Sequence, residues 1–231
     1  MIKARFIRRY KRFFVEALNN EGIILTAHCP NTGSMQQCSD PNSEVLLSSS
    51  SNLKRKLKYT LEFVKIKDNW VMVNTIKTNR IIEIVLKNGL LDVNFDHKKI
   101  YREVKFGIEN SRVDFLLENH INEKFYLEVK NVTLTDNMTT ALFPDAETKR
   151  GQKHIYELLH ELKIGNRVGI IFAIQRPECD SFDTNKEIDP KYHSLLKDAV
   201  KQGLEIFCAK IIYDNDLEPV DVKLIPFLNS D

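Results

Sequence analysis

The chain has 231 residues, 42% hydrophobic and 29% charged, the make-up of a globular protein able to bury a core as one large domain or two small ones. No apolar run reaches membrane-spanning length, and the basic N-terminus runs into Phe13-Phe14-Val15-Glu16 rather than the apolar core of a signal peptide, so a cytoplasmic protein with no membrane partner is expected. The net charge of +2 conceals an asymmetry: residues 1–78 carry 13 Lys+Arg against 6 Asp+Glu, and residues 79–231 carry 21 against 26.

The first 78 residues read as about five short strands separated by turn chemistry. Ala4 to Ala17 is one long, partly alternating stretch ended by Asn19-Asn20-Glu21-Gly22. Ile23–His28, Val45–Leu47, Tyr59–Ile66 and Trp70–Val73 follow. Five strands in so short a segment suit a small closed barrel such as an OB-fold, a common nucleic-acid platform. Cations cluster at Arg8, Arg9, Lys11 and Arg12, and again at Lys54, Arg55 and Lys56, with aromatic residues interleaved. Such patches are the footprint of phosphate-backbone binding, to DNA or RNA, although charge alone fits a solvated surface equally well.

After Asn74 the pattern changes. Asn79–Asn88 places Ile81, Ile82, Val85 and Leu86 at helical spacing with Gly89 as a stop. Strands at Ile100–Phe106, Arg112–Leu117 and Phe125–Leu134 come next, then a helix from about Ala146 to Lys163. The apolar run Arg167–Ile174 reads as a strand buried on both faces, Asp189-Pro190 caps a last helix closed by Gly203, and Leu204–Tyr213 is a final strand. This order describes a mixed sheet flanked by helices over residues 79–231. The four cysteines have no zinc-ligand spacing and read as reduced, buried thiols.

Two of these strands carry the chemistry. Glu128 and Lys130 are two apart and share a strand face, and the polar segment Glu118–Lys124 is long enough for a hairpin that sets Asp114 beside Glu128. Two carboxylates held together repel unless a proton or cation lies between them, and hard oxygen donors favour Mg²⁺ or Mn²⁺. Lys149, Arg150 and Lys153 cluster at the start of the following helix. A surface salt bridge between neighbouring strands is the plainer alternative.

Seven blocks in order along the chain resemble the sugar fermentation stimulation protein A (SfsA) family: Arg9–Phe13, His28–Gly33, Val73–Thr75, Glu103–Gly107, Ser111–Phe115, Glu128–Leu134, and Phe143–Ala146 with Arg150–His154. The resemblance implies an N-terminal OB-like β-barrel followed by an α/β domain of the PD-(D/E)XK nuclease-like fold with a mixed central sheet. It also implies DNA binding with a regulatory link to sugar, particularly maltose, metabolism. Carried over, the nuclease signature falls on Asp114, Glu128 and Lys130. Asp114, Glu128 and the backbone carbonyl of Val129 would hold Mg²⁺, Lys130 would orient water or neutralise charge, and Gln152 would face the site. The alternative to a DNA-binding protein without strong sequence preference is therefore a Mg²⁺-dependent nuclease acting on DNA or RNA. The family's first helix usually supplies one further acid; here Glu83 stands one position early, about 100° around the helix, and Glu103 is the other candidate.

Overall fold

The computed structural model describes residues 1–109, 111–136 and 139–230. Its first six strands are β1 (Ile2–Tyr10), β2 (Phe14–Asn19), β3 (Ile24–His28), β4 (Glu44–Ser49), β5 (Tyr59–Ile66) and β6 (Asn69–Met72). They pair in the order β3-β2-β1-β4-β5-β6, and a parallel contact of Ala27 and His28 with Tyr59 and Thr60 joins β3 to β5. Five strands therefore close into the expected OB barrel, with β6 hung on its edge. The stretch Ala4–Ala17 is two strands rather than one. It reverses at Lys11 and Arg12, both left-handed at φ 48° and 62°. No glycine or asparagine marks that turn, so alternation runs through it unbroken.

Asn74 joins the two halves. Its Oδ1 accepts from the backbone N–H groups of Ile76 and Lys77, capping α1 (Thr75–Lys87), while its Nδ2 donates to Glu62 on β5. The helix thus starts four residues before the expected Asn79, because the cap lies upstream of the apolar stripe.

Beyond α1 come β7 (His97–Phe106), β8 (Ser111–Asn119), β9 (Lys124–Val132), β10 (Leu134–Thr135), β11 (Thr140–Phe143), α2 (Lys149–Lys163), β12 (Arg167–Ile174), β13 (Ser181–Thr184), α3 (Pro190–Gln202), β14 (Glu205–Tyr213) and β15 (Pro219–Leu224). The main sheet has the order β15-β14-β12-β9-β8-β7, antiparallel at both edges and parallel across β9-β12-β14, the mixed sheet expected. β10, β11 and β13 form a small separate sheet, too short to leave a sequence signature. α3 begins at the Asp189 cap and ends at left-handed Gly203. Helix α2 begins at Lys149, later than Ala146, because Thr148 caps it by accepting from the Gly151 N–H.

One face of the main sheet packs with α2 and α3 through Ile155, Leu158, Tyr192 and Leu196. The other packs with α1, and that core also takes in Leu46, Phe63 and Met72 from the barrel, so barrel and sheet share apolar interior. The four cysteines are free and buried. Among the described residues no helix is long and apolar enough to cross a membrane.

Candidate active site in the barrel–sheet cleft

The β8–β9 ladder ends at the pair Phe115–Leu127, one step short of Asp114 and Glu128. In place of a ladder bond, Asp114 Oδ2 accepts from the Val129 N–H at 2.8 Å, and its Oδ1 accepts from Asn79 Nδ2 on α1 at 2.7 Å. The two carboxylates thus sit where the strands part, on the wall of a cleft of about 620 Å³. The barrel contributes Arg12 and the Asn31-Thr32-Gly33 turn to that cleft, and the α2 start contributes Thr148, Lys149, Arg150 and Gly151. Closeness fixes the turn: a Cβ on Gly33 would lie 2.4 Å from Asp145 Oδ1, and Asp145 Oδ2 accepts the Met35 N–H across the junction.

Glu128 is 3% exposed. Its Oε1 receives Lys130 Nζ at 2.7 Å and His154 Nδ1 at 2.6 Å, while its Oε2 has no partner. Burial alone would push this carboxyl up; Lys130 and His154 outweigh burial and hold it below the usual range. Asp114 goes the other way. Burial, then the neighbouring charge of Glu128, push it up to about 7 against the pull of Lys130. Opposed shifts in adjacent carboxyls are what a site short of positive charge produces. Among the described residues only three buried side-chain polar atoms lack a partner, and two belong to this cleft: Glu128 Oε2 and Asn131 Nδ2.

The remaining expected residues divide. Lys130 is at the carboxylates and Glu103 lines the cleft, but Glu83 does not. Glu83 points to Lys87 at 2.6 Å and Arg102 at 3.1 Å, because α1 turns Asn79, one helical turn earlier, toward Asp114. Gln152 also lies outside the cleft lining: its amide donates to both oxygens of Asp189, tying α2 to the cap of α3.

Of the expected phosphate-binding cations, Arg12, Lys149 and Arg150 line the cleft. Arg9 instead spends its guanidinium on the carbonyls of Arg12, Asn31, Gly33 and Ser34, a brace for two loops rather than a free cation. Arg8 pairs with Glu16, and Lys153 with Glu109. Lys11 is exposed on the β1–β2 turn beside Arg12. Exposed Lys54 and Lys56 stand apart on the barrel, and Arg55 lines a different cavity.

His154, Asn79 and Asn131 are site residues that sequence reasoning missed. His154 lies on the buried face of α2 with Gly151, Ile155 and Leu158, and a histidine on an apolar helix face is the signal that could have drawn attention to it.

The donor set suits a hard divalent cation in part. Asp114 and the unpartnered Glu128 Oε2 are oxygen donors of the right type. Among the described residues no three His, Cys, Asp or Glu side chains cluster at metal-holding range, so the remaining ligands would have to be carbonyl or water oxygens, as Mg²⁺ and Ca²⁺ accept.

An OB barrel, a mixed α/β sheet and a carboxylate–lysine cleft between them define a two-part protein, a barrel domain joined to an α/β domain. Residues 7–73 match the SfsA N-terminal OB domain and residues 76–216 match the sugar fermentation stimulation protein RE domain. The chain belongs to the sugar fermentation stimulation protein (SfsA) family. A sugar fermentation stimulation protein homolog of Desulfotalea psychrophila is 44% identical over 202 residues, covering 87% of this chain and 84% of that one. One from Nostoc punctiforme is 42% identical over 224 residues, covering 95% and 90%. The solved structure of Pyrococcus furiosus SfsA in complex with Ca²⁺ superposes with a TM-score of 0.89 at 26% identity, covering 98% of this chain and 95% of that one.

Proposed function

We propose that this protein binds the backbone of a nucleic acid in the barrel–sheet cleft and hydrolyses its phosphodiester bonds with the help of a divalent cation. The carrying observation is the pair Asp114 and Glu128, one shifted up to about 7 and the other left with an unpartnered buried oxygen, facing a cleft with cations on both banks. That a family relative was solved with Ca²⁺ supports a divalent ion at oxygen ligands, with Mg²⁺ or Mn²⁺ the candidates for chemistry. Such an ion would polarise a phosphodiester and lower the pKa of its bound water. Asp114, Glu128 and the Val129 carbonyl are the groups that would hold it. Lys130, beside Glu128, would offset negative charge gathering on a phosphate. The N-terminus of α2, with Lys149 and Arg150 in its first turn, offers backbone N–H groups and positive charge to an anion. His154 fixes the rotamer of Glu128 and does not reach the cleft lining.

A second reading is a cytoplasmic DNA-binding protein that does not cut and acts in regulating sugar use. One observation favours it: Lys130 and His154 already occupy one oxygen of Glu128, and among the described residues neither Glu83 nor any other acid completes a three-residue cluster.

One experiment separates the two. Purified full-length protein is incubated with single- and double-stranded DNA and RNA in Mg²⁺, Mn²⁺ or EDTA, alongside Glu128→Gln. The nuclease reading expects metal-dependent cleavage that falls at least a hundredfold in the variant. Cleavage unchanged by the substitution rules out this site, and binding without cleavage in every metal selects the regulator.

A further inference from the structure

A second cavity, about 640 Å³, lies on the other flank of α1, between the barrel and the β14–β15 hairpin. Its surfaces divide by chemistry. The floor is polar and fixed: Glu62, 6% exposed, accepts from Ser48 Oγ at 2.6 Å and Asn74 Nδ2 at 2.9 Å, and buried Thr60 accepts from Arg55 at 3.0 Å. The wall is aliphatic, made by Ile81, half-exposed Ile84 and Pro219. Arg55, Lys77 and Arg80 line it as cations, and Glu218 lines it from the hairpin. A fixed polar floor, an apolar wall and a cationic rim, in a volume within the usual 300–1,000 Å³ range for ligand sites, match a phosphorylated heterocycle: edge groups to the floor, ring to the wall, phosphate to the rim.

The position of this cavity adds a constraint. Ile76, 59% exposed, lines both this cavity and the carboxylate cleft. Around it, Thr75, Thr78 and Asn79 face the cleft, whereas Lys77, Arg80 and Ile81 face the second cavity. The two concavities are thus separated by the crest of a single helix, about 10–12 Å across. A duplex, stiff over about 50 nm, cannot dip into both sides of so narrow a ridge; a single strand can.

We propose that the second cavity holds one nucleotide of a single-stranded stretch whose backbone continues over Ile76 into the carboxylate cleft. This rests on the polynucleotide reading above and specifies the strand form it takes.

The test is fluorescence anisotropy at fixed salt with Ca²⁺, using a labelled single-stranded DNA oligonucleotide and a blunt duplex of the same sequence. Full-length wild type is compared with Arg80→Glu and Ile84→Glu. Both residues are exposed, point away from the carboxylate cleft and are checked for folding by thermal melting. Single-strand affinity is expected to fall at least tenfold in each variant, with duplex affinity changed less than threefold and Ca²⁺ binding by calorimetry unchanged. Single-strand affinity unaltered by both substitutions, or duplex affinity falling equally, overturns the inference and leaves the polynucleotide reading standing. Wild type that binds neither nucleic acid overturns both. A free nucleoside monophosphate that binds more tightly than the oligonucleotide overturns the placement of a strand.

Discussion

At the scale of single residues, Asp114 stores the tension of the site. Its carboxyl is raised to about 7, above its ordinary value, so the folded state holds the proton more tightly than the unfolded chain does. The stability this contributes is complete below about pH 4 and is lost as pH rises through 7. Asp114→Asn removes the loss, because an amide has no proton to give up. The amide offers one accepting oxygen where the carboxylate offers two, a cost that does not vary with pH; in EDTA the variant is therefore expected to gain several degrees of melting temperature relative to wild type between pH 4 and pH 8, as read by calorimetry across that range. A gap that does not change with pH would contradict the assigned cause. His154 makes the complementary case. An asparagine can present a donor near the position of Nδ1, a phenylalanine cannot. His154→Phe leaves buried Glu128 with Lys130 as its one remaining partner among the described residues and is expected to cost about 1–3 kcal/mol, whereas His154→Asn recovers most of it in urea unfolding.

At the scale of elements, the turn between β1 and β2 sets backbone strain against charge. Arg12 sits in a left-handed conformation at φ 62° and lines the cleft. Left-handed geometry costs an ordinary residue about 1–2 kcal/mol, and glycine's extra freedom in the unfolded chain gives back roughly 0.5–1. Arg12→Gly is therefore expected to stabilise by about 0.5–1 kcal/mol while weakening nucleic-acid binding and its salt dependence. Thermal melting and a salt titration of affinity check the two halves separately. Asn74 works in the opposite sense. Its side chain caps α1 and satisfies Glu62 at once, so Asn74→Ala removes a helix cap and leaves a buried carboxylate oxygen short of its donor. The loss should reach about 2–4 kcal/mol, beyond that of an exposed cap, by chemical denaturation.

At the scale of the whole molecule, the barrel and the sheet share a core. Leu46, Phe63 and Met72 of the barrel pack with α1 and the main sheet, and Tyr213 of β14 meets Phe63 edge-on. Gln37 exchanges two hydrogen bonds with Thr135, and Thr75 Oγ1 donates to the Pro30 carbonyl. A fragment of residues 1–74 would expose that shared apolar surface. It is expected to lack a cooperative melt, while the full chain unfolds in one calorimetric transition; a fragment that melts sharply by itself would show that the junction contributes little. The cleft depends on this coupling, since its two banks come from different halves.

Strand alternation, turn residues and the Asp189 and Gly203 signals around α3 are local in sequence, so the barrel, the mixed sheet and α3 were readable there. So was the pairing of Asp114 with Glu128 and Lys130, which needs only a hairpin and the two-residue period of a strand. The β1–β2 reversal escaped because Lys11 and Arg12 are not residues that announce left-handed backbone. The roles of Asn79, His154, Gln152 and Arg9 escaped for a different reason. Each is decided by which way a helix or loop is rotated against another element, and a helix rotated by one residue replaces one side chain by another about 100° away. Sequence thus determined which strands carry the carboxylates and lysine. Only tertiary packing decided that Asn79, rather than Glu83, meets Asp114, and that Arg9 braces a loop while Arg12 faces the cleft.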